Sequence, residues 1–417
     1  MTKAHLEQSR IGQGNNGSSQ WPLRLTAGVV ALALVLPATA GQREQAKRIH
    51  DRLTGVPPTA TILDDMVTEM GAGGAEAAAL LAIDPLRNPD NAKYFYNVTL
   101  KNFATPWTNE AQSVFDPLND YSATIIGMVR DDTGFDQLFS LDYVYAGVGT
   151  LPGVSASPSP TSNAHYEQLE TAGIDLSDPT KFDTVSQVAA VGLPDASGAA
   201  GVFTTRAAAR AFFIDGTNRS MFRFTILNHL CNDMEQIKDT TRAADRIRQD
   251  VSRSPGGDSR IYMNACIGCH TGMDPMTQAF AYYDFTYPVD NPDAGQLVYT
   301  PGQVQPKYLI NADNFKYGYI TPDDRWDNYW RAGPNAALGW DGSKTGSGTG
   351  ARSMGEELAG SAAFGRCQAI KVFRVVCLRD PDDAEINGAN GLFATYTANN
   401  SKMKPVFAKA ATQCMGQ

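Results

Sequence analysis

The chain has 417 residues and a formal net charge of −9, the wrong sign for a nucleic-acid partner. Its hydrophobic content of 42% is that of a globular protein and excludes a polytopic membrane protein. The length supports a sizeable core and two or three domains.

Residues 1–24 are polar and carry Lys3, Arg10 and Arg24; an apolar run follows from Leu25 to Leu36, then Pro37-Ala38-Thr39-Ala40. A charged start, a short apolar run and an A-x-A site predict a signal peptide over 1–40. The run is too short to span a bilayer comfortably, so no integral membrane segment is expected after cleavage. The expected location is the periplasm or the cell surface.

Residues 41–150 read as an N-terminal helical domain. Helical spacing covers 42–53, 61–70, 76–83 and 121–130. His50, on the first of these, reads as a surface or capping histidine. Residues 151–163, Leu-Pro-Gly-Val-Ser-Ala-Ser-Pro-Ser-Pro-Thr-Ser-Asn, predict a linker or loop. Residues 164–417 then form a second region with a helical lead-in. Helices are expected at 204–213 and 219–239, the latter with Phe222, Phe224, Ile226, Leu227, Leu230 and Met234 on a wide apolar face. Arg242, Arg246, Arg248, Arg253 and Arg260 follow, as a solvated helix face, a docking patch or partners for acidic groups.

Cys266-Ile267-Gly268-Cys269-His270 reads C-x-x-C-H, the pattern for covalent attachment of c-type haem. Composition alone produces it about 0.001 times per chain. Two thiols three positions apart can reach both vinyl edges of one porphyrin, and His270 can give its imidazole to iron. A zinc site needs four ligands, and no second C-x-x-C or H-x-x-x-H is present. One covalent haem c is the expected cofactor, with Cys266 and Cys269 as anchors and His270 as proximal ligand. Asp274 fits a helix N-cap and Pro275 the first helical position, opening an aromatic helix with Phe280, Tyr282, Tyr283 and Phe285 near the porphyrin.

Residues 288–350 are loop-rich, and 354–379 predict a long apolar helix. Met354 is the proposed distal ligand, because it precedes that helix as the ligand methionine does in small cytochromes c; His229 is the alternative. Four more cysteines, Cys231, Cys367, Cys377 and Cys414, imply two disulfides in an exported chain, with buried free thiols as the alternative. Cys367 and Cys377 are too far apart on one helix to pair, so one bonds Cys231 and the other Cys414.

The stretches Gly201-Val202-Phe203-Thr204-Thr205, Asn228-His229-Leu230-Cys231, Cys266 through Pro275, Tyr283-Asp284-Phe285, and Gly355-Glu356-Glu357-Leu358-Ala359 with Phe364, Cys367 and Lys371 carry a resemblance. Together they resemble uncharacterised exported haem-domain proteins of planctomycetes, myxobacteria and some proteobacteria; Arg52 to Thr59 matches them more loosely. The resemblance implies a cytochrome c-like haem site and export, and assigns no substrate. The expected fold is mainly α, an N-terminal helical region plus a cytochrome c-like haem domain with long loops. The expected function is one-electron transfer to an unidentified redox partner protein. A haem enzyme acting on an organic or peroxide substrate, and a surface-binding or assembly protein with structural haem, are the alternatives.

Overall fold

In the computed structural model, residues 41–108 and 112–416 are described; the expected signal peptide lies outside them. Helices dominate, so the fold is mainly α. The main ones are α1 (Gln42–Thr54), α2 (Ala60–Ala82), α3 (Leu100–Ala104), α4 (Asp120–Arg130), α5 (Arg206–Phe212), α6 (Arg219–His229), α7 (Ile267–Thr277), α8 (Gly350–Ala359), α9 (Ala362–Cys377), α10 (Leu392–Ala398) and α11 (Met403–Gln413). Among the described residues no helix is long and apolar enough to cross a membrane.

Local chemistry explains several boundaries. Thr59 accepts the Ile62 N–H to start α2, and Asn119 accepts from Tyr121 and Ser122 in a capping box at α4. Gly74 stands at φ +83° within α2, a left-handed kink between the segments expected at 61–70 and 76–83. The helix expected over 219–239 stops at His229, and 230–239 runs on without helix. The helix expected over 354–379 is broken at Gly360–Ser361 into α8 and α9.

The described residues form one compact unit. α1, α2, α9 and α11 pack together, and Phe95 and Phe103 meet Phe407 edge-on at 5.1 and 5.4 Å. Residues 41–150 and 164–417 therefore share one core. The 151–163 segment is a packed loop. Its Ser155 and Ala156 N–H groups donate to Gln168 Oε1 at 2.7 and 2.9 Å, and Leu151 is buried.

The β-strands among the described residues form three antiparallel pairs. β1 (Tyr143–Gly147) pairs β2 (Phe182–Ser186), β3 (Tyr283–Thr286) pairs β4 (Gln296–Tyr299), and β5 (Arg325–Asp327) pairs β6 (Ser347–Thr349). The aromatic helix expected after Pro275 is instead a 3-10 turn, Gln278–Phe280, running into β3. Alternation explains the change: Tyr283 and Phe285 share the buried face of the strand, and Asp284 turns outward to Lys307.

Two disulfides close the C-terminal half, Cys231–Cys367 and Cys377–Cys414. Cys367 and Cys377 both lie on α9, and each bonds to a different element.

Three of the five histidines are buried structural groups. His50 closes α1, with Val56 O at 2.9 Å and Asn88 Nδ2 at 3.1 Å, so the surface reading of this residue is corrected. His165 accepts the Gly147 N–H at 2.9 Å, and His229 meets the Tyr121 hydroxyl at 2.6 Å. Burial pushes all three below their ordinary value of 6.5. They therefore stay neutral in the fold while an unfolded chain takes up protons, and stability is lost as pH falls below 6.5. The urea midpoint is expected to drop between about pH 7.5 and about pH 5.5; an unchanged midpoint contradicts neutral burial.

Candidate functional site

The C-x-x-C-H motif straddles a change in helix type. A π-helical turn, Tyr262–Cys266, runs directly into α7. Single wide turns of this kind are frequent at functional sites. Cys266 is the residue before α7, and Cys269 and His270 occupy its first turn. The back of the helix is held tightly. A Cβ at Gly272 would lie 2.0 Å from the buried Trp330 ring, so only glycine lets the two approach. Asp239 N–H donates to Gly268 O at 2.8 Å, and the Thr271 hydroxyl donates to Asp239 O at 2.7 Å.

Asp274 does not cap a new helix, and α7 continues through it and Pro275 to Thr277. Pro275, which has no N–H to give, sits in the last turn of α7. The Asp274 side chain turns instead to His270, one helical turn earlier, with Oδ1 3.0 Å from Nδ1. The same carboxylate accepts from Arg219 Nε at 2.7 Å and Nη2 at 2.9 Å, and from Arg248 N at 3.3 Å. Asp274 is fully buried. Burial alone raises a carboxyl group, but Arg219 and the His270 ring hold this one well below the usual carboxylate range. An ionised carboxylate only accepts, so His270 Nδ1 carries the hydrogen of this bond, and Nε2 is the ring nitrogen left to meet a ligand. Arg219 reaches this point because Asn218, left-handed at φ +61°, starts α6 and donates to Phe280 O and Tyr283 O beyond the end of α7. Asp250 engages the far side of the Arg219 guanidinium at 2.5 and 3.0 Å.

His270 and Cys269 line a cleft of about 430 Å³. Its other walls include Met273, Met234, Phe224, Arg219, Arg223 and Glu235. The volume lies within the ~300–1,000 Å³ typical of cofactor pockets. A larger groove of about 610 Å³ runs past Asn97 and Trp107 and holds none of the expected site residues. Cys266 and Cys269 are the cysteines outside the disulfides, each part-exposed. Burial and the nearby Glu235 carboxylate push the Cys269 thiol up, the opposite of what a redox-exchange cysteine needs. Among the described residues no group of three or more His, Cys, Asp or Glu side chains gathers to hold a bare metal ion.

Cys266 is not among the cleft's lining residues and packs beside Ile247, Val251 and Tyr262, and the remaining expected site residues lie elsewhere. Met354 is wholly buried in the main core and does not line the cleft. The His229 ring is stacked on Phe364 and paired with Tyr121, also outside the cleft lining. Phe280, Tyr283 and Phe285 pack against other core rings and strands and are absent from the cleft. The arginine cluster at 242–260 is occupied within the chain. Arg242 pairs with Asp239, Arg246 with Asp327 and Arg260 with Asp258, while Arg248 lies over Tyr308 and Arg253 over Phe315.

The arginines of the cleft are Arg219 and Arg223, the latter paired with Asp233 at 2.9 Å. Sequence reasoning assigned neither of them, nor Asp274, to the site. The spacing His270-x-x-x-Asp274 carried a signal, since positions four apart share a helix face.

No family model, curated protein or solved structure matches the chain.

Proposed function

We propose that this chain is an exported monohaem c-type cytochrome that passes single electrons between partners outside the cytoplasm. The observation that carries the reading is His270 beside Cys269 in the cleft, its Nδ1 tied to a buried carboxylate so that Nε2 is left as a ligand. The two cysteines kept out of disulfides are those of the C-x-x-C-H motif, and disulfides themselves belong to oxidising compartments. Covalently held by Cys266 and Cys269 and ligated by His270, haem supplies a one-electron ferric–ferrous couple. The chain orients the imidazole through Asp274 and excludes water with Phe224 and Met273.

For the sixth position, Met234 is the sulfur to test in place of Met354. It lines the cleft, and its carbonyl oxygen lies 3.6 Å from Cys269 Sγ. Met273 also lines the cleft but follows His270 on the same helix. The haem-enzyme reading is favoured by one feature, the polar wall of Arg223, Asp233 and Glu235, which a small substrate could approach.

Visible spectra of the oxidised and reduced holoprotein, with and without carbon monoxide, separate the two. The wild type is expected to show the weak far-red ferric band of thioether ligation and no carbon monoxide shift. Met234→Ala is expected to lose the band and bind carbon monoxide. Prompt carbon monoxide binding by the wild type contradicts the carrier reading and puts the enzyme first.

A further inference from the structure

The cleft has an unusually well-supplied back wall. The Asp274 carboxylate, wholly buried, is met by donors from three directions: His270 Nδ1, the Nε–Nη2 edge of the Arg219 guanidinium, and the Arg248 backbone. A carboxylate offers about four lone-pair sites, so these donors fill it. They also compete. Charge that Arg219 withdraws from Asp274 is charge Asp274 no longer lends to the imidazole. Asp250 in turn shares Arg219, engaging it at 2.5 and 3.0 Å. The sequence of contacts is Asp250–Arg219–Asp274–His270, with alternating charge up to the ring.

We propose that Asp274 is a positioning residue that sets the electron donation of His270 to iron, and that Arg219 limits how strongly it does so. The inference rests on the haem reading above. A carboxylate on the far nitrogen of a ligating histidine fixes its tautomer and raises its basicity. A more basic axial ligand favours the ferric form and lowers the reduction potential. Removing Asp274 weakens that donation. Removing Arg219 frees Asp274 to bond the ring more strongly. The two substitutions act on the couple with opposite sign.

The test uses holoprotein and begins with haem content per chain. Asp274→Asn is expected to raise the midpoint potential, and Arg219→Gln to lower it. The His270 Nδ1–H proton resonance, read in the reduced protein, is expected to move upfield in the first and downfield in the second. A role confined to holding the fold together would leave that resonance unmoved in variants of native circular dichroism. Should Asp274→Asn fail to fold, Asp250→Asn reads the same chain from its outer end. It gives Arg219 wholly to Asp274, so potential and resonance are expected to move as for Asp274→Asn, by less. Haem-loaded variants whose resonance and potential match the wild type, or Asp274→Asn and Arg219→Gln moving together, overturn the inference. A wild type without covalent haem overturns the haem reading and this inference with it.

Discussion

Replacing Cys266 and Cys269 together by alanine is expected to abolish retention of haem under denaturing conditions. In the wild type the colour should stay with the polypeptide after extraction into acidified organic solvent; in the double variant it should pass wholly into the solvent. The expected effect is all-or-none because the proposed link is covalent, whereas ligation by His270 alone would be lost when the chain unfolds. Either single variant keeps one sulfur and should retain haem by one bond. The other four cysteines supply the control. They are committed to Cys231–Cys367 and Cys377–Cys414, so removing a disulfide should leave the haem-to-chain ratio unchanged in protein that folds. Loss of the haem from a Cys231→Ala, Cys367→Ala variant of native secondary structure would place the attachment elsewhere.

The second large effect is on stability. The Cys231–Cys367 bond closes 136 residues and ties the turn after α6 to α9. Cys377–Cys414 closes 37 and ties the end of α9 to the end of α11. Loop-closure entropy in the unfolded chain gives about 5 kcal/mol for the first and about 4 kcal/mol for the second. Domain stabilities are commonly ~5–15 kcal/mol, so either loss is a large fraction. The pair Cys231→Ala, Cys367→Ala is expected to lower the urea midpoint the more. It should also loosen the cleft, because α6 carries Arg219 at its other end. Equal midpoints for this pair and the wild type would show that the bond contributes nothing to folding.

Much of the fold was legible where periodicity is local. α1 and α4 fall within a residue or so of their expected spans, and, for two disulfides among four cysteines, helix rise was enough to keep Cys367 and Cys377 from pairing with each other. Expectations failed where tertiary partners decide. Asp274-Pro275 has the composition of a helix start, yet a buried arginine from α6 and a histidine one turn back claim the carboxylate, and the helix runs on. Tyr283 and Phe285 were placed on a helix because nothing local reveals that Gln296–Tyr299 returns to pair with them. Order along the chain also does not reveal that Met354 is buried in the main core outside the cleft while Met234 lines it from a segment that leaves α6. The motif itself was plain at once. The carboxylate–arginine support behind it became visible only with α6 and α7 side by side.

Covalent attachment of one haem is read out by the intact mass of the full chain, produced in an oxidising compartment with a cytochrome c maturation system and measured under denaturing conditions. The processed polypeptide plus one haem is the expected result. A mass equal to the polypeptide alone, or to the polypeptide with a third disulfide between Cys266 and Cys269, would contradict it.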